Sequence, residues 1–489
     1  MITKNVEKYS GLPFRKGTAR SVVFSNLFFI YVFLPANLVL YFAVKNLRLR
    51  NIIMVLFSLT FYAWGEPVCV GLLLFTALVN WGLGFAVAEH RQAAPEKAKG
   101  ALVLAVVVDL ALLMLFKYSG FLVDNLNALL GAEIPNPGLT LPIGISFYTF
   151  QIISYMADVY RGQVQCQRSF LKFLMYVTMY HQLVAGPIVR YEWIAKEIDD
   201  RPVIPAEIWN GVCRFCVGLT KKVVMANGAG ALASRYLDED FSKVSSLGAL
   251  FGILMFALQI YYDFSAYSDM AIGMGRIFGF HYLENFNYPY ISTSITDFWR
   301  RWHISLSTFF RDYVYIPLGG KYCHQIRNIL IVWLLTGLWH GASWNFVFWG
   351  GFYGLFLILE KRFLLRRLEK CPKAVGWLYS TVIVLIGWAL FYFTDTARLF
   401  AFFGALFGGG VSDPALWITI QNNLFWIILS VVFCAPVLPK IKSLAAARCP
   451  NGDTSLLVPV QAVCCCGMLL ICTALLVGQS YNPFLYYRF

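Results

Sequence analysis

Long apolar runs separated by short polar and basic segments make up most of the chain. They lie near residues 22–44, 51–65, 67–88, 100–123, 140–160, 170–190, 212–233, 247–279, 328–359, 376–395, 417–438 and 456–478. A transmembrane α-helix needs about 20 apolar residues to cross about 30 Å of hydrocarbon. The pattern predicts an all-α polytopic membrane protein with roughly ten to twelve crossings. Runs that are short or contain proline predict re-entrant or amphipathic helices.

Composition agrees with a membrane location. Of the 489 residues, 59% are hydrophobic and only 13% are charged, whereas a soluble protein carries about 25% charged residues. Residues 1–21 are polar and basic, and the next run is too long for a signal peptide and lacks a small-residue cleavage site. We expect a polar N-terminal extension at 1–21 and one membrane domain at 22–489, because no repeat or long linker divides the remainder.

The formal net charge of +14 comes from basic clusters that lie between the apolar runs. Lys and Arg concentrate in cytoplasmic loops of membrane proteins. Basic residues at both ends of the segments 51–88 and 376–438 therefore predict two hairpins whose ends are cytoplasmic. This distribution favours anionic membrane lipids over nucleic acid as partners.

The 12 cysteines do not predict a disulfide framework or a metal site. Cys464, Cys465 and Cys466 stand in an apolar run, where thiols usually behave as small hydrophobic groups. Cys213 and Cys216 form a CxxC pair, but no second pair accompanies it. We expect neither a bound metal nor a resident cofactor.

The six histidines differ in their surroundings. His90 and His324 lie in polar segments near basic residues, which is typical of surface positions. His181, His281, His303 and His340 lie in or beside apolar segments. An ionisable side chain at membrane depth is costly, so it marks a site, a cavity or a buried hydrogen bond.

His340 has the most informative neighbours, in the stretch LTGLWHGASW. Gly337 and Gly341 are four residues apart, which predicts one helix face that another helix or a ligand can approach closely. Thr336 lies one turn before the histidine and Trp344 one turn after it. The spacing is equally compatible with a structural histidine bonded to a neighbouring carbonyl and with a functional one.

His303 lies within FWRRWHISLSTFFRDYVYIPLGG, residues 298–320. At 100° per residue, the apolar side chains of this segment fill a sector about 120° wide. The segment predicts a single amphipathic helix at the interface or in a protein cavity, with His303 at the edge of the apolar sector. An interfacial histidine among Trp and Arg anchors is the alternative.

Asp263 and Asp269 interrupt the apolar segment LQIYYDFSAYSDMA. A separation of six residues does not place them on one helix face, so we do not expect a paired acid and base. Hydrogen bonds to tyrosine or serine hydroxyls, or to backbone, are the expected role. No GxSxG, P-loop or HExxH motif suggests another chemistry.

Seven segments in order resemble the membrane-bound O-acyltransferase (MBOAT) superfamily, and within it the alginate O-acetyltransferase-like branch. They are VVFSNLFFIYVFLP, LPIGISFYTFQIISYMADVYRG, QLVAGPIVRY, YYDFSAYSDMAIGMGRIFGF, FWRRWHISLSTFFRDYVYIPLGG, GLWHGASWNFVFWGG and YNPFLYYRF. The resemblance covers the chain from about residue 22 to its end. It implies a many-helix fold that encloses a catalytic chamber connecting the two sides of the membrane.

The resemblance also implies which residues act. The hallmark histidine of the superfamily matches His340, and a second active-site histidine matches His303. His181 stands where relatives commonly carry proline, so no role transfers to it, and residues 1–21 have no obvious counterpart. The implied reaction is acetyl transfer from cytoplasmic acetyl-CoA towards an extracytoplasmic polysaccharide, through a separate SGNH-type acyltransferase partner, in a bacterial cytoplasmic membrane.

Two other functions stay open on the sequence. The related D-alanyl transfer branch takes its acyl group from a small carrier protein and delivers it to teichoic acid. A non-enzymatic transporter or flippase is a different class, which predicts substrate movement without consumption of an acyl donor.

Overall fold

The computed structural model describes residues 23–184, 186–410, 413–447, 457–478 and 484–485. Across these ranges the secondary structure is helical and contains no strand. The expected all-α architecture is therefore confirmed. The N-terminal extension and most of the terminal YNPFLYYRF segment lie outside the described residues.

The first half of the chain forms ten helices between residues 29 and 237. They are α1 Phe29–Ala43, α2 Leu47–Gly65, α3 Cys69–Ala93, α4 Pro95–Leu130, α5 Ile145–Arg161, α6 Phe170–Thr178, α7 Tyr180–Leu183, α8 Tyr191–Asp199, α9 Pro205–Thr220 and α10 Asn227–Leu237. A π-helical turn, Lys221–Ala226, joins α9 directly to α10.

The second half continues with helices of very different lengths. They are α11 Ser246–Phe278, α12 Ile295–Arg301, α13 Ile304–Phe310, α14 Gln325–His340, α15 Trp344–Leu359, α16 Leu365–Leu368, α17 Lys373–Tyr392, α18 Thr396–Gly408, α19 Pro414–Val432, α20 Val437–Ala447 and α21 Val458–Val477. Short π-helical turns follow α13 and α15 at Arg311–Tyr315 and Glu360–Leu364.

Local sequence signals explain several helix ends. Ser245 begins α11 by accepting a hydrogen bond from the Gly248 amide at 2.9 Å, and Ser294 caps α12 through the Asp297 amide at 3.0 Å. Side-chain oxygens at this position satisfy amides that have no partner within the helix. Gly279 ends α11 with a φ of 86°, a left-handed conformation that glycine adopts without a steric penalty.

Six described helices are long and apolar enough to cross a membrane: α3, α4, α11, α17, α19 and α21. Other apolar runs form shorter or interrupted helices, such as α1 and α18. The protein is therefore a multi-pass membrane protein, whereas the exact number of crossings and the side of each hairpin remain predictions.

Helix α11 lies at the centre of the bundle. In the most apolar 18-residue stretch of each helix, 72% of the residues are buried in α11, compared with 17% in α4 and 11% in α21. The exposed apolar surfaces of α4 and α21 are those expected of lipid-facing helices. Helices α9 and α11 pack backbone to backbone, since a Cβ on Gly211 would lie 2.6 Å from the Gly273 carbonyl oxygen.

Candidate active site

His340 is the last residue of α14, at the point where the chain turns back into α15. The apolar run at 328–359 therefore forms a hairpin of two helices. A Cβ on Gly337 would lie 2.2 Å from the Phe346 carbonyl oxygen, so only glycine allows α15 to pack this closely. Gly337 admits a neighbouring helix, as the sequence predicted.

The prediction that Gly341 shares a helix face with Gly337 is wrong. Gly341 lies beyond the helix end with extended backbone, and a Cβ there would meet the Phe346 ring at 2.2 Å. Trp344 belongs to the next helix, where its indole donates to Asn125 Oδ1 at 2.9 Å. The helix stops at His340 because the chain must reverse to pack α15 against α14.

Aromatic rings surround His340. The centroids of the Trp339, Trp349 and Phe391 rings lie 4.8, 4.9 and 5.3 Å from the imidazole centroid. All three rings meet the imidazole at 70–83°, in edge contacts. Part of the His340 surface remains accessible despite this packing. The arrangement holds the imidazole in an apolar frame and leaves it able to meet a reactant.

His303 lies at a break between α12 and α13, so the single amphipathic helix predicted for 298–320 is wrong. Its backbone has φ 46° and ψ 55°, the left-handed region that non-glycine residues rarely adopt. Trp302 next to it is extended. No glycine or proline lies between residues 298 and 316, and so contacts from elsewhere in the fold impose the break.

Asn285 provides those contacts. Its backbone oxygen accepts from the Ile304 amide at 2.9 Å, and its side-chain Oδ1 accepts from the Ser305 amide and hydroxyl at 3.1 and 2.9 Å. Its Nδ2 donates to Ser268 on α11 at 3.0 Å. The first amides of α13 are thereby satisfied by a neighbouring segment, which fixes where the helix begins.

The two predicted site histidines contact the same tryptophan, Trp339. The His303 ring lies 6.0 Å from the Trp339 ring, and the His340 ring lies 4.8 Å from it. His303 is only 3% exposed. The fold thus brings together two residues that are distant in sequence.

Several buried polar atoms around the pair have no hydrogen-bond partner within the described part of the chain. They are His303 Nδ1, Trp339 Nε1 and Trp349 Nε1. Buried donors are nearly always satisfied in folded proteins, so an unsatisfied group requires an explanation. Unpaired indole N–H donors beside a histidine suit a site that receives a polar ligand.

Sequence reasoning missed Lys117. This residue of α4 donates a hydrogen bond from Nζ to the carbonyl oxygen of Trp339, and its ammonium lies 5.8 Å from the Trp339 ring centroid. Its signal was a lone lysine within the apolar run 100–123. The rule that basic residues mark cytoplasmic loops applies to clusters at helix ends, and it says nothing about a single lysine within a helix.

Asp263 and Asp269 form ion pairs with lysine and arginine side chains. Asp263 pairs with Lys222 at 2.6 Å, and Asp269 accepts 2.6 Å contacts from Arg214 and Lys221. The expected partners, tyrosine and serine hydroxyls, are therefore wrong. The expectation of a backbone bond is correct for Asp263, which accepts from the Leu485 amide at 2.6 Å.

The remaining histidines are not part of this site. His181 is fully buried and its Nδ1 lies 2.8 Å from the Tyr282 hydroxyl. His281 is exposed and sits between Glu197 and Glu207, with ring nitrogens 2.7 and 3.5 Å from their carboxylates. His324 is exposed, as predicted, whereas His90 is half-buried and contacts the Ala86 carbonyl at 2.9 Å.

Within the described ranges, no group of three or more His, Cys, Asp or Glu side chains could hold a metal ion. A crevice of about 150 Å³ near Arg201 and His281 is lined by other residues than the two site histidines. Cys213 and Cys465 bring their sulfur atoms to 3.6 Å where α21 packs on α9. These features lie apart from the His303–His340 pair.

Comparison with known proteins identifies a group of similar chains. The sequence model of the MBOAT, membrane-bound O-acyltransferase family matches residues 163–403, a segment that includes both histidines. The chain is 35% identical to a probable alginate O-acetylase of Azotobacter vinelandii, over 96% of this chain and 100% of that protein.

More distant similarities extend to other cell-envelope enzymes. The chain is 33% identical to the peptidoglycan O-acetyltransferase of Helicobacter pylori, over 76% of this chain and 77% of that protein. It is 26% identical to the teichoic acid D-alanyltransferase of Bacillus subtilis, over 50% of this chain and 65% of that protein.

Proposed function

Because the chain belongs to the membrane-bound O-acyltransferase superfamily, in its alginate O-acetyltransferase-like branch, we propose that it takes acetyl groups from cytoplasmic acetyl-CoA for O-acetylation of an extracytoplasmic polysaccharide. That it is a multi-pass membrane O-acyltransferase follows from the family itself. The observation that carries the finer proposal is the pair of histidines meeting at Trp339 in a chain that aligns over its length with a probable alginate O-acetylase.

His340 is the proposed general base. As the acceptor hydroxyl attacks the thioester carbonyl carbon, the imidazole takes the hydroxyl proton. The tetrahedral intermediate then expels the thiolate of coenzyme A, which receives that proton, and the products are an ester and the free thiol. The aromatic frame around His340 disfavours a charged ring, so the imidazole is kept in the form that accepts a proton.

His303 and the unpaired indole donors are proposed to stabilise the carbonyl oxygen of the acyl group. An acyl transfer develops negative charge on the carbonyl oxygen, and pre-positioned N–H donors stabilise it. His303 Nδ1, Trp339 Nε1 and Trp349 Nε1 are buried donors or acceptors without partners among the described residues. Acetyl-CoA acts as a substrate in this scheme, which involves no metal and no resident cofactor.

The proposed setting is a bacterial cytoplasmic membrane, with the membrane domain at 22–489 and the basic extension at 1–21. A relative named for alginate and another named for peptidoglycan favour a polysaccharide acceptor outside the cytoplasm. We propose an SGNH-type acyltransferase as the partner that completes transfer on the outer side. Basic segments between the apolar helices would contact anionic lipid.

D-alanyl transfer from a carrier protein to teichoic acid is the second candidate, favoured by the similarity to teichoic acid D-alanyltransferases. That similarity covers about half of this chain, compared with 96% for the alginate relative. Neighbouring genes discriminate the two, because a carrier protein and an adenylating enzyme accompany D-alanine, whereas an SGNH-type gene with polysaccharide genes accompanies acetate.

The test supplies radiolabelled acetyl-CoA to membranes that contain the full-length protein and measures label in base-labile esters. His340→Gln should reduce transfer by about 10²–10⁴-fold, the usual contribution of a general base. His181→Gln is the matched control, since this histidine is fully buried and bonded to Tyr282. Normal transfer by correctly folded His340→Gln protein would refute the assignment. In a parallel reaction with radiolabelled D-alanyl carrier protein, transfer from that donor and not from acetyl-CoA would favour the second candidate.

A further inference from the structure

Two consecutive residues of α4 bind the end of α14 next to His340. Lys117 Nζ donates to the carbonyl oxygen of Trp339, and the Tyr118 hydroxyl donates to that of Leu338 at 2.5 Å. Carbonyls in the last turn of a helix lack intrahelical partners and carry the negative end of the helix dipole. A lysine ammonium and a phenol therefore hold the backbone immediately before His340.

Lys117 has no carboxylate within ion-pair distance anywhere in the described ranges. Its other contacts are the Ser146 hydroxyl at 3.5 Å, at the start of α5, and the face of the Trp339 ring. It lies in α4, a 36-residue helix that is apolar enough to cross a membrane. An ionisable side chain within an apolar membrane helix is costly, so one without a counter-ion indicates function.

Electrostatics connects the same lysine to the histidine side chain. Lys117 is bonded to the carbonyl of Trp339, the residue directly before His340, and the His303 ring lies 6.0 Å from the Trp339 ring. Tyr118 reaches the same helix end through its hydroxyl, while α15 and α17 present the uncharged rings of Trp349 and Phe391. When Lys117 carries its proton, its positive charge opposes a second one on the imidazole.

We infer that Lys117 is a positioning residue of acyl transfer, which fixes the end of α14 through the Trp339 carbonyl and keeps the His340 imidazole ready to accept a proton. The inference rests on the proposed role of His340. It explains why the lysine is kept in an apolar helix without a counter-ion. It also gives the two neighbours different roles: Lys117 supplies a charge, whereas Tyr118 supplies a neutral hydrogen bond to the Leu338 carbonyl.

The experiment compares Lys117→Met, Lys117→Gln and Lys117→Arg with Tyr118→Phe in the full-length protein in membranes. The first readout is total base-labile acyl ester on cell-surface polymers, which does not depend on the identity of the donor. Misplacement of a catalytic group by about 1 Å costs about 10²-fold. We expect losses of this order in the two neutral variants, a smaller loss in Lys117→Arg, and a loss of less than about tenfold in Tyr118→Phe.

The second readout is the reaction of His340 with diethylpyrocarbonate, followed by mass spectrometry across a pH series. This reagent modifies the neutral imidazole. Half-maximal modification should move to higher pH in the neutral Lys117 variants and stay unchanged in Tyr118→Phe, a difference that a purely structural role does not produce. Lys117→Gln keeps the test decisive if Lys117→Met does not accumulate.

Parallel measurement of His340→Gln separates the two proposals. If His340→Gln loses ester but well-accumulated Lys117 variants keep a normal ester content, the inference about Lys117 is overturned and the proposed function is not. An unchanged pH dependence of His340 modification in those variants overturns it as well. Normal ester content in His340→Gln overturns the proposed function, and the modification series still decides whether Lys117 acts on His340.

Discussion

Lys222 and Lys117 are both lysines within apolar helical segments, but their partners differ. Lys222, in the π-helical turn after α9, pairs with Asp263 of α11 at 2.6 Å, and its ammonium lies 4.5 Å from the Phe484 ring centroid. Both side chains of this pair are at most 3% exposed. Lys117 binds carbonyl and hydroxyl oxygens and has no carboxylate partner among the described residues.

The comparison distinguishes Lys222, whose charge stabilises helix packing, from Lys117, whose charge acts beside the candidate active site. A buried cation that meets an anion across two helices fixes their register, and its charge is neutralised locally. A cation that meets only dipoles leaves a net positive potential, which acts on neighbouring groups. In this fold the neutralised lysine lies in the α9–α11 contact, and the other lies beside His340.

The largest effect is expected on breaking the neutralised pair. Asp263→Asn removes the carboxylate that lies 2.6 Å from the buried Lys222 ammonium and should lower the free energy of unfolding by about 3–5 kcal/mol. Denaturation of the purified protein in detergent measures this loss. The double variant Lys222→Met with Asp263→Leu removes both charges and should recover most of the stability; equal stability of the single and double variants would contradict the pairing.

A smaller effect is expected at the corner that holds His303. Asn285→Ala removes three side-chain hydrogen bonds and leaves the buried Ser305 amide unsatisfied, at a cost of about 1–3 kcal/mol. We expect ester formation to fall further than this loss of folded protein explains. Asn328→Ala is the control, because this buried asparagine bonds the Leu318, Gly320 and Cys323 carbonyls and not the start of α13. Equal activity in the two variants would contradict a link to His303.

The smallest effect on stability is expected at Lys117. Lys117→Met removes a hydrogen bond but also relieves the cost of holding an unpaired charge in an apolar helix, so the free energy of unfolding should change by less than about 1 kcal/mol. The same denaturation measurement applies. A loss as large as that of Asp263→Asn would assign Lys117 to assembly and remove the contrast between the two lysines.

The sequence predicted the features that depend on local pattern. Apolar runs located the helices, and the isolated histidine in LTGLWHGASW identified His340 as a candidate. The break at His303 could not be predicted, because no helix-breaking residue marks it and Asn285 imposes it from another segment. The partners of Asp263 and Asp269 depend on the register between α9 and α11, which periodicity within one helix does not contain.

The bond between the Leu485 amide and Asp263 links the tail of the chain to the middle of the membrane domain. Phe484 lies against Lys222 in the same place. Removal of residues 484 and 485 would therefore deprive a buried ion pair of two contacts. This part of the core is completed only when a segment 222 residues after Asp263 has been synthesised.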